Sequence, residues 1–125
     1  MTQIIMRLAA GLTLLAAAAL LSIRAGAQPA VVTDAQLDKV ITNAKTPADR
    51  EAIAAYFDQE AADTKKKADL HRRTAETYRN LKIAKPVYMA QMCDNIAAMW
   101  DKIAADQEKL ANAHREMAKK AGAGT

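Results

Sequence analysis

Ala61–Ala75 reads AADTKKKADLHRRTA, and forty-three positions later Ala104–Ala118 reads AADQEKLANAHREMA, with His71 and His114 at the same place in the two stretches. Extended backwards, Arg50 to Ala75 matches Cys93 to Ala118 at twelve of twenty-six positions. Six of the matches are alanines, cheap in an Ala-rich chain; the others are Ile53, Asp58, Asp63, Lys66, His71 and Arg72. Chance gives roughly two or three identities in such a composition. An internal duplication of one segment is the economical explanation.

Each copy carries a finer period. Ala54, Phe57, Ala61, Thr64, Ala68, His71, Ala75 and Tyr78 alternate spacings of three and four, and Ala97, Trp100, Ala104, Gln107, Ala111, His114 and Ala118 do the same. That is the seam of a helical pair, and an alanine at every seventh residue lets two antiparallel helices approach closely. The seam buries little apolar area, so at ~25 cal/mol/Å² its hydrophobic contribution is modest.

The flanking residues place the ends. Thr46, Pro47 and Asp49 supply an N-cap, a proline at the first helical position and an acid at the third, opening a helix that nothing interrupts until about Asn80. Pro86 opens the next, expected to run to about Lys120. The handful of residues between them favours antiparallel neighbours. Ahead of both, Thr33 and Asp34 precede Leu37, Val40, Ile41 and Ala44, the stripe of a short amphipathic helix ending near Lys45. The fold expected is all-α: a long antiparallel helical hairpin, an Ala-rich coiled coil, over residues 47–120. Residues 28–46 form a short N-terminal helix and linker, and residues 121–125 a frayed tail.

A second stripe runs beside the seam on the last helix: Met89, Met92, Ile96, Met99, Ile103, Leu110 and Met117. The preceding helix offers only Ile53 and Tyr56 on the equivalent side before Glu60 and Lys67 interrupt. Two helices cannot cover this stripe, which leaves the short N-terminal helix, a second copy forming a dimeric four-helix bundle, or a client protein.

Residues 1–27, MTQIIMRLAAGLTLLAAAALLSIRAGA, have an early cation at Arg7, an apolar run from Leu8 to Ile23 and the small-x-small triplet Ala25-Gly26-Ala27. This predicts an export signal cut after Ala27, and a periplasmic or secreted protein. The run is shorter than the ~20 residues that cross a bilayer, so no transmembrane segment is expected after cleavage. Without Arg7 and Arg24 the chain holds sixteen basic against fourteen acidic residues, too mild a balance to suggest nucleic acid. Cys93 is the sole cysteine, so no internal disulfide can form; it is free, paired with another chain, or a ligand.

Catalytic signatures are missing: there is no Gly-rich phosphate loop, nucleophile elbow or HExxH, and an enzyme is not expected. The chemistry on offer is ligation. With a turn near Leu81 to Lys85, His71 falls one turn from Cys93 and from Trp100, while His114 falls opposite Ile53, one turn from Arg50 and from Phe57. His71, Cys93 and Met92 make a soft donor set suited to copper or zinc, and His114 is a weaker second candidate. Packing competes with ligation at both histidines, and core filling competes at the methionines. Lys65, Lys66, Lys67, Arg72 and Arg73 wrap around their helix and read as a solvated face.

At TPADREAIAAYF, MCDNIAAMW and the two alanine-histidine repeats, the chain resembles a group of small exported bacterial helical-hairpin proteins, over roughly Thr46 to Lys120. In that group a histidine often stands where Arg50 stands here, and another where Met92 stands. The resemblance implies two metal-capable side chains in each corner; this chain keeps His71, Cys93 and His114 and departs at Arg50 and Met92. It implies no activity. The expected role is therefore binding: self-association or an envelope protein partner first, soft-metal binding second, a periplasmic holdase third.

Overall fold

The protein is described here from a computed structural model over residues 30–124; the expected signal peptide and its cut after Ala27 lie outside these residues. Three helices follow in order, α1 over Asp34–Asn43, α2 over Pro47–Asn80 and α3 over Pro86–Ala123, and no strand occurs among the described residues. The long pair packs together along its length, while α1 touches α2 alone. At ~1.5 Å per residue α2 and α3 are rods of about 50 and 57 Å.

The start of α2 is fixed by a reciprocal cap. The Asp49 amide donates to Thr46 Oγ1 at 3.1 Å, and the Asp49 carboxylate accepts from the amides of Thr46 and Lys45 at 2.8 and 2.9 Å. Those backbone donors, Thr46 first, hold the Asp49 carboxyl below its ordinary range. The same cap shortens α1, which ends at Asn43 rather than near Lys45. Lys45 N–H is committed to Asp49, and the Ala44 carbonyl accepts from Arg50 at 3.1 Å, so neither residue can extend α1.

The turn into α3 is made by Lys85 in the left-handed region at φ 61, followed by Pro86 at the first helical position. At the other end α3 continues through Ala123, three residues past the expected stop at Lys120. Alanine is the strongest helix former, and Gly122 lies beside Pro47, where an added β-carbon would stand 3.9 Å from the proline ring. The first turn of α2 thus supports the last turn of α3.

Every seam alanine is buried: Ala54, Ala61, Ala68 and Ala75 on α2, and Ala90, Ala97, Ala104, Ala111 and Ala118 on α3. Among the described residues Ile53 is the one large side chain buried completely. The core is therefore a thin ladder of methyl groups, held by close backbone approach more than by side-chain bulk.

α1 buries none of its own residues. The segment is held by Val32, which is buried, and by Tyr56 Oη, which donates to the Asp34 carboxylate at 3.1 Å. Because α1 packs on α2, it leaves the α3 stripe uncovered.

Candidate functional site

The seam divides the hairpin surface into two unlike faces. On one, four ion pairs join the helices at seven-residue steps: Asp58 with Arg115, Lys65 with Glu108, Arg72 with Asp101 and Arg79 with Asp94. Two of them are the same pair made twice. Asp58 and Asp101 are equivalent in the duplication, as are Arg72 and Arg115, so each copy gives an arginine to the other copy's aspartate. Lys65 and Glu108, themselves equivalent positions, meet at the centre. The duplicated helix has folded back about a local twofold.

Half-exposed pairs of this kind are worth only ~0–1 kcal/mol each. Their order matters more. The acid lies on α2 in the first pair and on α3 in the other three, so a slip by one heptad sets Asp58 against Glu108 in one direction and Lys65 against Arg115 in the other. The seam alanines alone are indifferent to such a slip; the charges are not. Lys65 and Arg72 of the basic run stay exposed, as the reading of a solvated face requires, while their charged ends pair across the seam. Of that run, Lys67 Nζ lies 4.8 Å from the Trp100 ring centroid and Lys66 pairs with Asp63 at 2.7 Å. The signal was present in the sequence: Asp58 and Arg72 are among the few non-alanine residues the two copies share.

At the open end of the seam, His114 is buried to 8% exposure and stacks on Phe57, centroids 6.0 Å apart and planes at 19°. A turn near Leu81 to Lys85 puts Phe57 within one turn of His114, and there it lies. Tyr56 meets Phe57 edge-on at 5.3 Å. His114 Nδ1 is buried without a hydrogen-bond partner, and burial, reinforced by the Arg50 charge, lowers the ring's pKa below 6.5. The neutral ring is the form that fits the seam. Stability linked to His114 is therefore present above the unfolded-state value and is lost as pH falls through the lowered folded-state one, because the unfolded chain takes up the proton first. Denaturant titrations from pH 7 to 5 should show a loss of at most ~1.4 kcal/mol per pH unit from this proton. His114→Phe should flatten that slope; an unchanged slope would remove His114 as its source.

At the hairpin-tip end, Cys93 is buried to 9% exposure against Ala75 and Ala90, with Tyr78 packed on them. His71 is half-buried on α2, one turn before Ala75, and Met92 points outward. Cys93 is a free cysteine with its thiol mostly covered by these neighbours. Among the described residues no group of three His, Cys, Asp or Glu side chains is placed to hold a metal ion.

The other face of the seam carries the stripe. Met89, Ile96, Ile103, Leu110 and Met117 recur at every seventh position, flanked by Met92 and Met99. All but the half-buried Ile96 are exposed, Met99 to 65%. Their duplicate positions on α2 explain why. Ile96, Ile103, Leu110 and Met117 correspond to Ile53, Glu60, Lys67 and Thr74, so only the first has an apolar counterpart.

Comparison with family models, with curated proteins and with solved structures finds no match. The two faces and the two histidine corners are thus the observations from which function has to be read.

Proposed function

We propose that this protein is a non-enzymatic, exported helical hairpin that acts in the cell envelope by self-association, two copies pairing α3 stripe to α3 stripe in a four-helix bundle. The observation that carries the reading is the seven-residue apolar stripe on α3, of which all but the half-buried Ile96 stay exposed. A heptad repeat of large side chains over ~42 Å of helix is the pattern that a second helix fills. The charge ladder lies across the seam and stays in water when the stripe is covered. Sedimentation across a concentration series tests the proposal: a dimer is expected, and a monomer at every concentration refutes it. Slowed aggregation of a model client by a monomeric protein would instead favour the holdase.

A soft-metal role is the second reading. It rests on the soft donor chemistry of His71, Cys93 and Met92 in the half of the rod towards the hairpin tip. Copper(I) titration of the reduced protein should then give binding tighter than micromolar, lost on Cys93→Ser with His71→Ala. Unchanged binding in that variant removes these residues as ligands.

A further inference from the structure

The hairpin tip differs from both faces of the rod. Leu81, Ile83, Val87 and Tyr88 are all exposed there, Val87 to 75% and Tyr88 to 59%. No acidic residue occurs between Leu81 and Cys93, and the tip carries Lys82 and Lys85. Neither lysine forms an ion pair among the described residues; the ladder's last rung is Arg79 with Asp94. The left-handed turn at Lys85 and Pro86 directly after it fix the chain path here, so these side chains project from a built corner.

We propose that this tip docks on an anionic lipid surface, with Leu81, Ile83, Val87 and Tyr88 entering the headgroup and upper acyl region and Lys82 and Lys85 meeting lipid phosphates. The tip is a convex end, not a groove, so a flat, deformable surface accommodates it better than a folded partner does. Its combination of aliphatic residues, a tyrosine and lysines matches the chemistry of the membrane interface, where aromatic rings sit at headgroup depth and lysine stems extend back to the charged layer. The charge complement selects the lipid, because cations near an anionic leaflet add markedly to binding. No helix among the described residues is long and apolar enough to cross a bilayer, so the contact is with the surface. The inference uses none of the α3 stripe beyond the tip and stands apart from self-association.

The test uses the full chain, in which the Leu8–Ile23 run can itself hold protein on a vesicle, so pelleting alone does not report on the tip. A tryptophan placed by Tyr88→Trp in a Trp100→Phe background does. With vesicles of phosphatidylglycerol brominated near the headgroup end of the acyl chains, its fluorescence should shift blue and be quenched. With phosphatidylcholine alone it should stay unquenched. Lys82→Glu with Lys85→Glu should weaken the anionic-vesicle response by about tenfold or more, with helix content by circular dichroism unchanged. A protein that pellets while the indole stays unquenched overturns the proposal. So does quenching that ignores lipid charge or the lysine reversals.

Discussion

Ala68→Leu should lower the unfolding temperature by roughly 10–20 °C. Ala68 is fully buried on the seam, as is Ala104 on the facing helix. A Leu there adds three carbons where the helices approach most closely, and the backbone can make room only by moving apart. Separation loses the dispersion contacts of several neighbouring alanines and loosens the interhelical ion pairs at once, hence the ~3 kcal/mol expected for overpacking a tight contact. Ala68→Ser, nearly isosteric, should cost far less. Thermal melts followed by circular dichroism distinguish the two. A Leu variant as stable as the parent would mean that the seam is not close-packed, and would remove the reason for an alanine at every heptad.

Ile103→Asp should leave the hairpin's own stability almost unchanged and weaken self-association by more than about a hundredfold. The contrast follows from where Ile103 stands: exposed in the single hairpin, yet at the middle of the five-residue heptad column from Met89 to Met117. In a twofold dimer the substitution is felt twice, and the two new carboxylates approach each other near the axis. Met99→Asp, farther from the column, should act in the same direction with a smaller effect. Sedimentation reads association and melting at low concentration reads the monomer. Parallel losses in both would mean that Ile103 supports the hairpin itself and that the stripe is no interface.

Much of the hairpin was legible because its determinants are local. Thr46, Pro47 and Asp49 form the predicted cap, Pro86 opens α3, and every alanine of the three-four alternation is buried. The ends that moved are those where one element's cap takes from its neighbour, as Asp49 takes the Lys45 amide and so shortens α1. On the surface of α2, Lys66 pairs with Asp63 three residues away, while Lys67 lies over the Trp100 ring. Of the candidate site residues, His114 met its expected neighbour Phe57, and Cys93 came to rest among Ala75, Ala90 and Tyr78.

By itself the sequence determined three helices, the cap of α2, the duplicated seam and the existence of an apolar stripe, since each follows from the spacing of residues along one helix. Only the tertiary structure decided what meets across the seam. It joined residues that the two copies share, Asp58 to Arg115 and Arg72 to Asp101, into one ladder along the seam. It also sent α1 to α2 and so left the α3 stripe open. Facing partners depend on the relative height and rotation of two helices, which alanine spacing constrains only to the nearest heptad. The short connection from Asn80 to Pro86 and the order of the charges favour the register observed.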